Sequence, residues 1–498
     1  MSKTAEKLNR WSFLWLSLAV IFLLFATGKW NIPVVTWLFL VFSLRFFRTQ
    51  PLKRAFIIYL FVSMVPLYFA WQGLVPLSGV GYFIFVVVVC LLNALIFLTD
   101  RLLATRLNGF MSTLVFPLVM VTAQYIMILT SPYGSYGSHA YSQYGNLPLL
   151  QIMSVTGLSG ITFVLAWFAS VVNWAWEQQF EWKKVWKGVI TYAGILTCIL
   201  LAGGASLISP SSFDTVRIAA IPATEIFEMD QYMKDSLQHL ISGEITETEL
   251  ASIRTKFSAN TDDLIERSER EAHAGASIVF WSEGGGYVLN EDEATLIERG
   301  RMLARQEEIY LGMALATLTS GQKLVENKIV LIEPSGEIAW QYFKARPVPG
   351  EPVVRGDGEI LTLDTPYGKI AGAICYDMDF PNLIRQAGKA GVDVLFNPAN
   401  EWEEVAPMRM RMATFRCIEN GFSMFRPSSN GFSVATDYHG RVLSITDYFT
   451  SEDPVMIAYV STKGATTIYS RIGDIFAWLC VAGFVSSIIW VSIRRHSI

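Results

Sequence analysis

The sequence has few charged residues and few cysteines for its length. Only 16% of its 498 residues are charged, whereas 52% are apolar, and this is more apolar material than a soluble domain needs for its core. The five cysteines do not form the spaced set of a disulfide-bonded scaffold. A formal net charge of −4 gives no reason to expect nucleic acid as a partner. The apolar excess therefore indicates a membrane protein.

Signals for cofactor binding are also missing. No His, Asp or Glu cluster has the spacing of a metal site. The glycine run at 284–286 lacks the GxGxxG spacing and a following helix start, so it predicts a turn that lets the backbone approach a site. There is no internal repeat or low-complexity tract. We therefore expect neither a metal nor another cofactor.

Eight apolar runs are long enough to be read as membrane spans. They lie at residues 11–27, 30–47, 55–71, 80–99, 110–130, 158–174, 188–208 and 472–493. The first run has an alternative interpretation as a cleaved signal peptide, because a basic segment precedes it, but no small-residue cleavage site closes it. The runs predict seven transmembrane helices within residues 1–210 and one more within 466–498.

Loop charges predict the orientation of these spans, because short cytoplasmic loops are rich in Lys and Arg. With the exception of Lys29, the loop cations fall on one side: Lys3, Lys7, Arg10, Arg48, Lys53, Arg54, Arg101, Arg106, Lys183, Lys184, Lys187, Arg494 and Arg495. The segments 72–79 and 131–157 have no Lys, Arg, Asp or Glu. Both termini are therefore predicted to be cytoplasmic, and residues 211–465 to lie outside the cytoplasm.

The hydrophilic segment has the pattern of a layered α/β domain, since short strand-like runs alternate with amphipathic helices. Strands are predicted at 216–221, 277–281, 310–316 and 392–396, hairpins at 328–344 and 360–375, helices at 291–308, 380–391 and 407–420, and two strands within 422–445.

Three polar residues each follow one of the predicted strands. Glu283 comes after Trp281, Lys344 ends the first hairpin, and Cys375 follows an apolar run that gives way to a polar turn. Each has a plainer interpretation on its own, as a turn carboxylate, a solvated lysine and a structural cysteine. Together they are a base, a cation and a thiol, which are the groups that activate a nucleophilic cysteine and stabilise an oxyanion.

The motifs around these residues resemble a known family. Trp-Ser-Glu at 281–283, Lys344 followed by Pro-Gly-Glu-Pro at 349–352, and Ile-Cys-Tyr at 374–376 are similar to the nitrilase, or carbon-nitrogen hydrolase, superfamily. Together with the membrane spans, the chain resembles the apolipoprotein N-acyltransferases of bacterial inner membranes. The loop 133–143 and the segments 408–420 and 426–431 resemble that family as well.

The resemblance implies a multi-span α-helical membrane domain plus an α/β nitrilase-like αββα sandwich, and a catalytic role for the triad. Cys375 would form an acyl thioester, Glu283 would act as base, and Lys344 would stabilise the oxyanion. Glu351 would orient Lys344, and Tyr376 would shape the pocket. The implied partners are a phospholipid acyl donor, a diacylated lipoprotein acceptor and membrane lipids, with no cofactor.

The sequence departs from the family pattern near the expected pocket. Ser282 replaces a common Pro, Asp377 a Glu, and Pro349 a Phe, and residues 397–402 differ from the usual Asn-Asp-Ala-Trp-like stretch. These departures put substrate details in doubt more than the type of reaction. Two alternatives stay open: a membrane-anchored amidase that transfers its acyl group to water, and a non-catalytic lipid-binding or transport protein.

Overall fold

This structure is a computed structural model, which describes residues 11–208, 214–224 and 230–496. The chain divides into two compact units, one formed by Met1–Ser209 with Ile472–Ile498 and the other by Pro210–Arg471. The predicted cytoplasmic cations Lys3, Lys7 and Arg10 lie outside the described residues, and so do the side chains of Arg494 and Arg495.

Helices and strands are numbered in chain order. The helices are α1 (Ser12–Ala26), α2 (Pro33–Thr49), α3 (Leu52–Trp71), α4 (Gly79–Ala104), α5 (Val115–Thr130), α6 (Leu147–Leu150), α7 (Met153–Thr156), α8 (Leu158–Glu177), α9 (Trp182–Ile208), α10 (Gln231–Ser242), α11 (Glu247–His273), α12 (Glu293–Glu307), α13 (Pro381–Ala390), α14 (Ala406–Asn420), α15 (Ile468–Ile472) and α16 (Ile475–His496). The strands are β1 (Thr215–Ile221), β2 (Ile278–Trp281), β3 (Gly286–Leu289), β4 (Tyr310–Leu318), β5 (Glu326–Ile332), β6 (Ile338–Phe343), β7 (Thr362–Thr365), β8 (Gly368–Gly372), β9 (Val394–Phe396), β10 (Ala399–Asn400), β11 (Ser423–Arg426), β12 (Ser428–Ser429), β13 (Phe432–Thr436), β14 (Val442–Asp447) and β15 (Met456–Ser461). Short 3₁₀ helices lie at Phe110–Leu114, His139–Gln143 and Cys375–Asp379.

The first unit is helical. Among its described residues, six helices are long and apolar enough to cross a membrane: Leu52–Trp71, Gly79–Ala104, Phe110–Thr130, Leu158–Glu177, Trp182–Ile208 and Ile475–Ile493. The first two predicted spans are the helices α1 and α2, which have 15 and 17 residues. Both are shorter than the roughly 20 residues that cross a bilayer. Six of the eight predicted runs thus meet the length requirement, and spanning by α1 and α2 stays a prediction.

Charged side chains inside this unit meet near the ends of its helices. Arg48 of α2 donates to both carboxylate oxygens of Asp100 on α4, at 3.0 and 3.1 Å. The Asp100 side chain is fully buried, and the pair is joined by the more exposed Glu177 at the end of α8. Because a buried charge is tolerated only when it is paired, this contact fixes the ends of three helices against one another.

The second unit contains two mixed sheets. In the first sheet the strand order is β15-β1-β2-β4-β5-β6, with β3 also paired to β4, and in the second it is β14-β13-β11-β9-β8-β7. The strands β1, β2 and β4 run parallel, as do β8, β9 and β11. A residue that follows one of these strands therefore lies at the same edge of its sheet as its counterparts.

Helices cover the two sheets, and aromatic side chains join them. Leu264 of α11 and Leu303 of α12 belong to the apolar core of the first sheet, while α14 packs against the second. Between the sheets, the rings of Phe280 and Phe396 stack with centroids 4.4 Å apart. Gly312 of β4 makes room for this stack, since a Cβ there would lie 2.1 Å from the Phe280 ring. The predicted fold class, a membrane domain plus a nitrilase-like α/β domain, is confirmed.

Most predicted elements of this unit are present within a few residues, and one segment needs correction. Residues 422–445, predicted to hold two strands, contain β11, β12, β13 and β14. The short β12 pairs only with the two-residue strand β10, and such short runs lack the length over which an alternating pattern is visible.

The Phe280 stack gives a test of how the two sheets are held together. Phe280→Ala should destabilise the second unit by about 3–5 kcal/mol, because the fully buried ring leaves a cavity between the sheets. Denaturant unfolding of the full chain in detergent, followed by domain fluorescence, measures this change. Phe449→Ala removes a ring that is 43% exposed and should cost far less, so equal losses in the two variants would contradict the assignment.

Candidate active site

Cys375 lies in a strained turn at the end of the second sheet. It follows β8 and begins the 3₁₀ helix Cys375–Asp379, with a φ of +42°. Non-glycine residues rarely adopt this left-handed conformation unless surrounding contacts enforce it. Its N–H donates to the carbonyl oxygen of Pro398 at 2.9 Å, and its side chain is buried at the wall of a cavity.

Asp377 holds this turn in place. Its Oδ2 accepts hydrogen bonds from the Ile374 N–H at 2.9 Å and from the Tyr342 hydroxyl at 2.8 Å. Its Oδ1 accepts from the Arg346 N–H at 2.7 Å. One buried carboxylate thus connects the nucleophile turn to β6 and to the segment after Lys344.

Glu283 is positioned by three donors. It follows β2 at the edge of the first sheet, and its Oε1 accepts from the Lys344 ammonium at 2.7 Å and from Asn327 Nδ2 at 2.8 Å. Its Oε2 accepts from the Asn400 N–H at 2.9 Å. Because a carboxylate has about four acceptor positions, these bonds leave one free, on Oε2. The preceding Ser282 takes part in packing, with its hydroxyl 2.7 Å from that of Ser429.

The Lys344 ammonium lies between two carboxylates. Besides Glu283, it contacts both oxygens of Glu351 at 2.8 and 2.9 Å. The Val348 N–H donates to Glu351 at 2.7 Å and orients it. The Lys344 side chain is only 2% exposed, so both carboxylates are needed to compensate its buried charge.

Asn400 connects the base to the thiol through its main chain. Its N–H contacts Glu283, and its carbonyl oxygen lies 4.0 Å from the Cys375 sulfur. The Asn430 amide donates to Asn400 Oδ1 at 3.1 Å and fixes the side chain. The segment after β9 therefore reaches both reactive groups.

The environment of the Cys375 thiol disfavours its ionised form. Burial raises the pKa of the Cys375 thiol, the Glu283 carboxylate raises it further, and the Lys344 ammonium opposes them. Burial would lower the pKa of Lys344, but the two neighbouring carboxylates raise it above its ordinary value. Forming the thiolate therefore requires a proton acceptor, and Glu283 lines the same cavity as Cys375.

The cavity beside these groups has a volume of about 380 Å³. Its apolar wall consists of Ala316, Leu318, Val325, Val348, Val353 and Val405. Tyr376 also lines it, and the Arg409 guanidinium lies 4.7 Å from the centre of the Tyr376 ring. A larger groove of about 630 Å³ between α11 and α12 shares Tyr287 with this cavity but contains neither the thiol nor the lysine.

All five predicted site residues meet at this cavity: Glu283, Lys344, Glu351, Cys375 and Tyr376. Their catalytic roles stay predictions. Sequence reasoning missed Asn327 and Asn400, and it noted Asp377 only as a departure from the family. The side chain of Asn327 contacts Glu283 across the sheet from within an ordinary hairpin strand, which no local pattern indicates. Asn400 contacts Glu283 through its main-chain N–H, so its side chain gave no signal.

One cluster with metal-ligand geometry was also missed. Glu269 and His273 on α11 meet Glu307 on α12 with their ligand atoms within 4.8 Å of one another, which corrects the expectation that no such cluster exists. Glu307 comes from a separate helix, so spacing along one segment could not reveal the group. His273 and Glu307 already form an ion pair at 3.0 Å, and exposed groups of this kind are common without a metal.

Comparison with known proteins agrees with this geometry. Residues 250–468 match the family "Carbon-nitrogen hydrolase". The chain carries a carbon-nitrogen hydrolase domain. The chain is similar to the apolipoprotein N-acyltransferase of Geobacter metallireducens, with 26% identity over 77% of this chain and 74% of that protein. The proteins of the same name from Rickettsia bellii and Shewanella oneidensis are 26% and 24% identical, over 67% and 66% of this chain and 66% and 64% of their own lengths.

The family resemblance drawn from the sequence is confirmed by these relatives. Among solved structures, the carbon-nitrogen hydrolase domain is similar to an amidase from Nesterenkonia sp., with 18% identity and a TM-score of 0.39 over 53% of this chain and 95% of that one.

Asp377 gives a test of the nucleophile turn. Asp377→Asn should lower the free energy of unfolding by about 1–3 kcal/mol at neutral pH. The NH₂ group of asparagine would face at least one of the three groups that now donate to the carboxylate, and that hydrogen bond would be lost. Burial raises the pKa of Asp377 to about 6, so the folded state favours its protonated form, and its contribution to stability falls as pH rises through about 6. The stability gap between wild type and variant should therefore widen as pH is lowered from about 6 toward 4. Denaturant unfolding measures it. Asp364→Asn, with a side chain 86% exposed, is the control, and an equal pH response there would contradict the prediction.

Proposed function

We propose that this chain is an N-acyltransferase of the membrane, which moves an acyl chain from a phospholipid through a Cys375 thioester to the α-amine of a lipoprotein's N-terminal diacylglyceryl-cysteine. The observation that carries this proposal is the buried Glu283, Lys344 and Cys375 constellation beside an apolar cavity, in a chain with membrane-spanning helices. The similarity to apolipoprotein N-acyltransferases supports it.

The first half-reaction forms the thioester. The Cys375 proton moves to the free acceptor position of Glu283 Oε2, and the thiolate attacks the ester carbonyl carbon of the phospholipid. The Lys344 ammonium stabilises the oxyanion, together with the Tyr376 N–H at the start of the 3₁₀ helix. A sulfur–carbon bond forms, the ester carbon–oxygen bond breaks, and Glu283 returns the proton to the departing lysophospholipid hydroxyl.

The second half-reaction passes the acyl group to the amine. Glu283 accepts a proton from the acceptor amine, whose nitrogen attacks the thioester carbonyl. A carbon–nitrogen bond forms, the carbon–sulfur bond breaks, and Cys375 regains its proton. In each half-reaction Glu283 therefore accepts one proton and then releases it. Glu351 keeps the Lys344 ammonium in place throughout.

Two observations favour acyl transfer over the alternatives. The apolar wall of the cavity suits an acyl chain better than a small polar amide, and a lipid donor explains why the domain is attached to several spans. A non-catalytic binding protein does not need the strained backbone at Cys375 or the buried ammonium of Lys344, and both features cost folding free energy.

The chemistry can be tested on the purified chain in detergent. Incubation with phospholipid should add one acyl mass to the wild-type chain, and a diacylated lipopeptide should then remove it and appear as the N-acyl product in mass spectrometry. Cys375→Ala should abolish both the adduct and the product. Glu283→Gln should slow adduct formation about a hundredfold to a thousandfold or more, the scale of losing one group that stabilises developing charge.

Cys417→Ser is the matched control, because this second buried thiol of the domain contacts Thr436 away from the cavity. It should keep both the adduct and the product. An adduct that persists in Cys375→Ala would contradict the assignment of the nucleophile. If water removes the acyl group equally fast with and without lipopeptide, the amidase alternative is favoured.

We further propose that the carbon-nitrogen hydrolase domain lies on the periplasmic side of the inner membrane, with both termini cytoplasmic. The Lys- and Arg-rich short loops on the other side support this orientation. Residues 211–465 then meet lipids and lipoproteins that have left the cytoplasm.

Labelling of introduced cysteines tests the orientation. In a Cys198→Ala background, Ser258→Cys on α11 and Lys184→Cys on α9 place thiols at exposed positions of the two predicted sides. A membrane-impermeant maleimide applied to intact cells with a permeable outer layer should label the first strongly and the second only after lysis. The Cys198→Ala chain without an introduced cysteine gives the background labelling. Strong labelling of Lys184→Cys in intact cells, with Ser258→Cys labelled only after lysis, would refute the orientation.

A further inference from the structure

Besides Lys344, a second buried cation is close enough to act on the Cys375 thiol. Arg426 is the last residue of β11, and its side chain is 1% exposed. Its guanidinium donates to the side-chain oxygen of Asn397 and forms an ion pair with Glu401. Asn397 is fully buried, and the side chain of Glu401 is only 2% exposed. The triad does not explain why a second ion pair is buried here.

The two partners of Arg426 flank the segment that contacts the reactive groups. Between them, Pro398 accepts the Cys375 N–H at 2.9 Å, and Asn400 donates its N–H to Glu283 at 2.9 Å. One guanidinium therefore holds both ends of the stretch that aligns the thiol with its base. The parallel strands β8, β9 and β11 bring the three parts to one sheet edge.

Asn397 also reaches the strand that carries the nucleophile. Its Nδ2 donates to the Ala373 carbonyl oxygen at 2.7 Å, two residues before Cys375. Main-chain hydrogen bonds also hold this region, since the N–H groups of Asn397, Ala399 and Glu401 donate to carbonyl oxygens in the segment 425–429. The Arg426 guanidinium adds a charged side-chain link to both ends of the same stretch.

We propose that Arg426 and Glu401 are positioning residues, which fix the 397–401 segment and through it the alignment of Glu283 with Cys375. The effect on turnover rests on the proposed function, whereas the effect on thiol reactivity does not.

The packing around Glu401 is built for a carboxylate. A Cβ on Gly431 would lie 2.6 Å from Glu401 Oε2, so glycine at that position leaves the space that the carboxylate occupies. Glu401 also lines the catalytic cavity. Its negative charge and the positive charge of Arg426 therefore both act near the sulfur.

The two charges act on the thiol in opposite directions. Beyond burial and the triad, Arg426 lowers the pKa of Cys375 and Glu401 raises it. Removing the Glu401 charge while keeping the side chain's size should make the thiol more reactive, and removing the Arg426 charge should make it less reactive. A merely structural role predicts no such difference in sign.

Iodoacetamide alkylation of Cys375 in the full chain, followed by peptide mass spectrometry across a pH series, measures this reactivity. Glu401→Gln should move the alkylation profile to lower pH, with alkylation near pH 8 roughly three- to tenfold faster, the scale of removing one unit charge from a partly screened site. Arg426→Gln should move it to higher pH. Both variants should lower kcat for acyl transfer with little change in KM, because alignment and not donor binding is lost.

The buried ion pair Arg416–Glu419 within α14 provides the matched control, at 2.7 Å with side chains 0% and 1% exposed. Glu419→Gln should lower thermal stability and leave the alkylation profile of Cys375 in place. Arg426→Lys keeps the charge but not the forked geometry, so it should retain the wild-type alkylation profile and still lose kcat.

The proposal is overturned if Glu401→Gln leaves the alkylation profile unchanged, or shifts it no more than Glu419→Gln does. The Glu401 variant decides the matter even if Arg426→Gln does not fold. If the profiles shift as expected but no variant, including wild type, transfers an acyl chain, the positioning role stands and the proposed function fails.

Discussion

The buried ammonium of Lys344, held between two carboxylates, is the contact on which the site depends. A charge so far from water is stable only because Glu283 and Glu351 neutralise it. In turn it occupies Oε1 of Glu283 together with Asn327, whereas Oε2 accepts from the Asn400 N–H. The ammonium therefore orients the Glu283 carboxylate, and losing it would leave two buried carboxylates repelling each other.

This arrangement explains why the domain uses two sheets. Glu283 and Lys344 follow strands of the first sheet, whereas Cys375 and the 397–401 segment follow strands of the second. Base and nucleophile can therefore meet only if the sheets stay in register across their apolar interface. The Phe280 and Phe396 stack lies at that interface, immediately before the turns that carry Glu283 and Asn397. Core packing and chemistry are consequently coupled through very short stretches of chain.

Residue patterns predicted the parts of the fold that have long, regular signals. Apolar runs indicated the helices of the first unit, and strand ends indicated Glu283, Lys344 and Cys375. Contacts made by the main chain or between distant segments had no such signal. The pairing of β10 with β12, the carbonyl of Pro398 and the reach of Arg426 to Glu401 depend on the tertiary structure. Likewise, the cluster of Glu269, His273 and Glu307 becomes visible only when two helices pack together.

The base is contacted at Asn400 by a peptide N–H and not by a side chain. Any amino acid except proline supplies that group, so the hydrogen bond does not depend on which side chain residue 400 carries. The side chain of Asn400 has a different partner, because its Oδ1 accepts a hydrogen bond from the Asn430 amide. Replacing residue 400 by any amino acid other than proline would therefore change the wall of the cavity while the N–H contact to Glu283 is kept.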